Sequence, residues 1–179
     1  TPVFGVATPA AFLENLQAAT PDPASGKPDP EKQKAFAAAH PETKGQADFL
    51  KANNPPASYA STPYYSLHAF RFENRAKQVR YVRWQFVPQD GTRFLDDAAL
   101  TGTPPDFLEA ALKSRIAQGP IRWDMVVTFA EAGDTLTDPT VAWPEGRRQQ
   151  RLGTLELKSV SAQAGGDCEK INFDPMVMS

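Results

Sequence analysis

His68 stands in the stretch YYSLHAFRF, residues 64–72, and the chain has only one other histidine, His40. Imidazole is the usual general base and metal ligand near neutral pH, so the surroundings of these two residues set the first chemical question. Neither has an obvious carboxylate to orient it, and no Gly-x-Ser-x-Gly elbow occurs, so a hydrolytic triad is not formed. Phosphate-binding glycine loops of the GxGxxG and GxxxxGK kinds are absent. Two distant histidines and the single Cys168 make neither a side-chain metal site nor an intrachain disulfide. The acidic pair Asp96-Asp97 fits the positive end of a helix, and GRRQQR, residues 146–151, reads as a solvated loop. Residue chemistry alone therefore yields no catalytic set. A lone histidine on a strand is ordinarily a packed or hydrogen-bonded residue. What remains is a set of aromatics: Phe4, Phe12, Phe70, Phe72, Trp84, Phe86, Trp123, Phe129, Trp143 and Phe173. They are either an ordinary core or the wall of a large planar apolar ligand.

The elements that must position these residues follow from periodicity and punctuation. PVFGVA at residues 2–7 predicts a short strand. Thr8 as N-cap and Pro9 as first helical residue predict a helix over 9–19, with Phe12, Leu13 and Leu16 on one stripe. TPDPASGKPDP breaks the chain. A second helix starts at Asp29 or Pro30 and is ended or kinked by Pro41; ETKGQADFLKAN predicts a third. Strands are predicted over 65–73 and 79–87, with a turn at Asn74, and the second places Val82, Trp84 and Phe86 on one face. Residues 94–119 predict helix in two pieces, the second opening at Thr103 or Pro104 and closing near Gly119. IRWDMVVTFAEA and RLGTLELKSVSA predict the last two strands. The result is an α+β chain: helices over about 9–53, then antiparallel strands with inserted helices over about 64–179, forming part of a β-barrel.

Composition bounds the function. The 179 residues are enough for one domain with a real core, and 41% hydrophobic with 22% charged residues places the chain among globular proteins. A net charge of -2 gives no footprint for nucleic acid or a membrane surface, and no apolar run approaches the roughly 20 residues of a membrane span. The chain opens on TPVFGVATP without methionine and stops at NFDPMVMS, so both ends read as cuts and the chain as a fragment.

Several of these stretches together resemble the haem catalase superfamily, and most of all its compact catalase-related peroxidases. TPVF followed eight residues later by Phe12 is similar to the NNTP-(I/V)-F segment. YYSLHAFRFEN and VRYVRWQFVPQDG resemble the pair Y-G-S-H-T-F-K-x-x-N and V-Y-x-K-F-H-Y-x-x-x-x-G. IRWDMVVTFAEA, DPTVAWPEG, LGTLEL and INFDPMVMS resemble the later family segments, in order, across nearly the whole chain. The resemblance implies an antiparallel barrel around a buried haem b, with hydrogen peroxide and a small organic donor as substrates. It assigns Phe4 and Phe12 to the haem wall, Leu67 and His68 to a Ser-His pair beside the haem, and Phe173 to a pocket phenylalanine near the proximal side. Leu67 departs from that serine. Neighbours on a strand also point to opposite faces, so Leu67 and His68 are not expected to aim at one ligand together.

The resemblance also implies that the distal histidine and asparagine lie upstream of Thr1 and the iron-ligating tyrosine downstream of Ser179. The chain would then supply pocket walls without catalytic or metal-binding residues. Where some large relatives carry His, Lys and His for a nicotinamide nucleotide, this chain has Gln85, Val87 and Glu145, so NADPH is not expected. The compact relatives imply a periplasmic location, with the cytoplasm as the alternative. Two other readings stand: a non-enzymatic barrel carrying a hydrophobic or haem-like ligand, and a structural domain whose aromatics are only core.

Overall fold

A computed structural model describes residues 1–162 and 164–171. The N-terminal third is helical: α1 (Pro9–Ala19), α2 (Pro30–Ala39) and α3 (Lys44–Ala52). Two of these starts are built by the side chains that the sequence marks. Thr8 Oγ1 accepts the Ala11 N–H at 3.2 Å, Asp29 Oδ1 accepts the Glu31 N–H at 2.9 Å, and a proline occupies the first turn of both helices. The predicted strand over residues 2–7 does not form. Val3 and Val6 are buried, and Phe4 donates its N–H to the Pro139 carbonyl at 2.9 Å, so this segment is held by a loop instead of a ladder.

The remainder is one antiparallel sheet with two inserted helices: β1 (Tyr64–Tyr65), β2 (Phe70–Glu73), β3 (Val79–Pro88), α4 (Asp97–Gly102), α5 (Phe107–Ile116), β4 (Ile121–Phe129) and β5 (Gln149–Leu157). The strand order is β1-β3-β4-β5, with β2 also on β3. Asp96 caps α4 by accepting the Ala99 N–H at 2.7 Å, which accounts for the acidic pair. Opening of α5 falls at Phe107 rather than at Thr103 or Pro104, and β5 runs two residues earlier than its pattern and stops before Lys158. Four strands in width do not close a barrel, which takes about eight. Among the described residues the sheet is open, so the expected mixture of helix and antiparallel sheet is present and the expected barrel is not.

The sheet has two unlike faces. Cross-strand partners share a face, so Tyr64, Phe86 and Met125 line up, as do Trp84 with Val127 and Trp123 with Leu155. α5 and the short turn Tyr59–Ser61 cover one end of this aromatic face, where Ala60, Ile121 and Trp123 are buried against Phe86, Leu112, Ile116 and Leu157. At the other end Val82 and Val127 are fully buried, and between them and α5 part of the face stays open, with Leu155 48% and Tyr64 40% exposed.

The single strand expected over 65–73 is two strands. Tyr65 pairs with Gln85 and Phe70 with Val82, so four residues, 66–69, lie opposite only two, Arg83 and Trp84. Two extra residues leave the ladder as a bulge, and His68 sits on it. His68 is therefore not a strand residue.

His40 also departs from expectation, because it has two carboxylate partners. It ends α2, stacks on Phe36, and places Nε2 2.8 Å from Glu14 of α1 and Nδ1 3.0 Å from Glu42. Glu14 is 26 residues away and invisible to local pattern. The hydrogen bond to Glu14, then that to Glu42, pushes the imidazole pKa above its ordinary value, since both favour the charged ring. A raised folded-state pKa contributes stability that is fully present below the unfolded value of about 6.5 and lost as pH rises through the folded value. Urea melts of the chain should therefore show stability falling as pH rises from about 6.5 through the raised folded-state value, and His40→Gln should flatten that slope. An unchanged slope in His40→Gln would show that another group titrates.

Candidate functional site

The N-terminal segment and the bulge between β1 and β2 meet at one cavity. Phe4, Phe12 and His68 line a concavity of about 270 Å³ together with Val6, Ala7, Thr8, Pro9 and Pro139. Phe12 lies one turn into α1, where the Thr8 cap and the Phe12 N–H to Thr8 carbonyl bond at 3.0 Å fix the start of the helix. The rings of Phe4 and Phe12 are 5.8 Å apart and tilted by 37°. This spacing lies within the range of favourable aromatic pairs. Phe12 is 42% exposed and lines the cavity. His68 is the one ionisable side chain of the lining. Leu67 is half-buried and does not line the cavity, and Phe173 lies outside the described residues.

Phe4 is placed by the loop between β4 and β5, and that loop is carried by Arg83. The guanidinium donates to the Val141 carbonyl at 2.7 Å and the Asp138 carbonyl at 3.1 Å, and stacks over Trp143 at 4.8 Å. Between those two carbonyls lies Pro139, the acceptor for the Phe4 N–H. Asp138 tightens the turn by accepting the Thr140 N–H and hydroxyl at 2.9 and 2.6 Å. Burial pulls the Arg83 pKa down, and Asp138 and Asp134 pull it back. At the far end of the loop Arg147 makes a two-point pair with Asp134 at 2.8 and 2.9 Å, and a third contact to Glu131. The Arg147 guanidinium holds the Asp134 carboxyl below its usual range. GRRQQR is solvated as expected except at Arg147, but it is not all loop: its last three residues open β5, Arg148 stacks on Phe129 and Arg151 pairs with Asp124. The sequence reading missed Arg83 and Ser66, the buried residue that opens the bulge. An arginine between apolar residues in VRYVRWQF and the Asp-Pro-Thr turn were the available signals.

A second cleft of about 270 Å³ lies beside this loop, lined by Gln85, Arg83, Trp143, Glu145, Arg147 and Gln149 among others. Both of its arginines are already engaged by carbonyls or carboxylates. Among the described residues no cluster of three or more His, Cys, Asp or Glu is placed to hold a metal ion. No helix among them is long and apolar enough to cross a membrane.

An open antiparallel sheet with helical insertions and a phenylalanine-lined cavity at its bulged edge defines the class, and comparison with known proteins gives it a family. A sequence model of the catalase family, described as Catalase, matches residues 1–179, and the chain belongs to that family. It is 54% identical over 179 residues to a catalase-related peroxidase of Synechococcus elongatus, covering all of this chain and 53% of that protein. A catalase-related peroxidase of Mycolicibacterium paratuberculosis is 34% identical over 172 residues, 94% of this chain and 53% of that one. The chain thus spans about half the length of these relatives. The crystal structure of a fungal catalase superposes with a TM-score of 0.76 at 23% identity, over 88% of this chain and 34% of that one, and catalase A from Saccharomyces cerevisiae does so at 22%. These two show the fold.

If Arg83 carries the loop, Arg83→Ala should lower the free energy of unfolding by about 2–3 kcal/mol, the scale of losing charge-assisted hydrogen bonds and a stacked cation. Lysine cannot reach both carbonyls with a planar fork, so Arg83→Lys should restore less than half of that. Urea titration checks both, and a loss below about 0.5 kcal/mol for alanine, the range of an ordinary surface change, is incompatible with the anchoring role.

Proposed function

We propose that the chain is the haem-wall part of a catalase-related peroxidase that breaks down hydrogen peroxide or uses it to oxidise a small organic donor. One observation carries this reading: residues 4, 12 and 68, separated in sequence, converge on a single apolar cavity in a chain of the catalase family. The relatives named catalase-related peroxidase, matched across the whole chain, support the activity.

The lining fits a flat apolar cofactor on one side. Phe4 and Phe12 offer adjacent aromatic faces, Val6, Ala7 and Pro139 add apolar contact, and the cavity opens to solvent where a ligand would continue beyond this chain. Its volume lies just below the range of about 300–1,000 Å³ for complete small-molecule pockets, as expected of one wall. Haem, of the b type in this proposal, supplies the redox chemistry with peroxide when bound. Phe4 and Phe12 would hold its face and exclude water there, and His68 would offer a single polar, ionisable group at the margin. The open sheet supports the same picture: its partly exposed aromatic face and its β5 edge, unpaired among the described residues, suit further strands, which would complete a barrel. Acid–base and iron-ligand roles fall to that remainder. Gln85 and Glu145 share the second cleft with no uncommitted cation, which supports the absence of NADPH.

Haem titration of the 179-residue chain, followed by its Soret band, should show weak uptake. Phe4→Ala and Phe12→Ala should each weaken it about tenfold, the equivalent of about 1.4 kcal/mol and the scale of one aromatic contact. Leu67→Ala, outside the lining, should leave it unchanged. Oxygen release from peroxide should not exceed that of free haem, and release well above that level would overturn the assignment of catalysis to other residues. A polypeptide of the relatives' full length should show a haem band, turn over peroxide and bind no NADPH by fluorescence. Its failure to take up haem would favour the carrier reading.

A further inference from the structure

Two facing residues of an antiparallel pair that hydrogen-bond should exchange two N–H to carbonyl bonds. Ser66 and Trp84 exchange only one. Ser66 donates its N–H to the Trp84 carbonyl at 2.8 Å. The reciprocal donor, the Trp84 N–H, is taken by the Ser66 hydroxyl at 2.7 Å in place of the Ser66 carbonyl. The same hydroxyl donates to the His68 carbonyl at 3.3 Å, and Ser66 is 7% exposed. One side chain thus satisfies a ladder donor that the bulge would orphan, and ties the bulge to itself. Beyond it, Leu67, His68 and Ala69 lie opposite Arg83 alone before Phe70 pairs with Val82.

We propose that Ser66 is the positioning residue for His68, its hydroxyl holding the two-residue bulge that brings His68 to the Phe4–Phe12 cavity. The role of that cavity rests on the function proposed above; the hydroxyl latch itself does not. Without Oγ, the Trp84 N–H regains an acceptor only if the peptide after residue 66 turns its carbonyl back into the ladder. That turn draws residues 67–69 toward a regular strand, shifts the pairing and takes His68 off the cavity. The motif Y-G-S-H has glycine at this position and its hydroxyl one residue later, where this chain has Leu67, so the latch belongs to this sequence.

The test compares Ser66→Ala and Ser66→Thr with the parent chain by ¹⁵N and proton NMR and by haem titration. Threonine keeps the hydroxyl. In Ser66→Ala the Trp84 amide should exchange about tenfold faster or more, the His68 resonances should move, and the Phe70–Val82 cross-strand contact should weaken. Haem uptake should weaken several-fold, and Ser66→Thr should stay close to the parent in every readout. Unmoved His68 resonances with an intact Phe70–Val82 contact in Ser66→Ala overturn the proposal, whatever the exchange rate. If the parent chain takes up no haem, the reading of the cavity fails while the NMR comparison still decides the latch. If alanine unfolds the chain, threonine decides: a displaced His68 in Ser66→Thr, with the hydroxyl retained, overturns the proposal, and a parent-like His68 supports it.

Discussion

A guanidinium placed in the middle of a sheet is the constraint on which the candidate site depends. Arg83 lies between Val82, fully buried, and Trp84, on a strand paired on both sides. Taking that charge out of water is unfavourable, and the loop between β4 and β5 offsets it with two carbonyls and the face of Trp143. The fit is incomplete: Arg83 Nε is the one buried side-chain nitrogen or oxygen among the described residues without a partner. The consequence runs outward. Because the loop is pinned at residues 138 and 141, the Pro139 carbonyl is fixed, and through it Phe4. One wall of the cavity is thereby tied to the centre of the sheet instead of to a mobile N-terminal segment.

The other wall is set from two directions. α1 is started by Thr8 and Pro9, which fixes where Phe12 falls in its first turn. His40 then fastens the exposed side of the helix to the end of α2 through Glu14, while Glu42 holds the opposite ring nitrogen. A local cap chooses the position of Phe12 along the helix, and a long-range ionic contact helps to keep that helix docked. Both are polar devices serving an apolar site, since apolar packing alone is non-directional.

The sheet explains why the site is one-sided. Its aromatic face is covered by α5 at the Ile121–Trp123 end, and among the described residues its β5 edge is unpaired. Soluble proteins rarely leave such a face and edge bare. The chain spans about half the length of the catalase-related relatives it matches, and the open part of this face is the surface its described residues leave uncovered.

Local chemistry was legible in the sequence wherever a few neighbouring residues settle the backbone. The span of α1, the caps at Thr8, Asp29 and Asp96, and the alternation of β3 and β4 all follow from short-range sterics and hydrogen bonding. Family membership was legible too, because it is carried by many short segments in order. Tertiary structure decided everything that needs a partner from far along the chain. The segment around Phe4 has a strand's composition but no strand to pair with, so a loop residue took its N–H. The stretch around His68 alternates like one strand, yet the ladder to β3 cannot accommodate two surplus residues, and the bulge lifts His68 out. His40 looked solitary because Glu14 is brought to it only by the packing of α1 on α2. That the strands form part of a barrel is read from their aromatic content and from the family resemblance, and neither counts the strands available to close one.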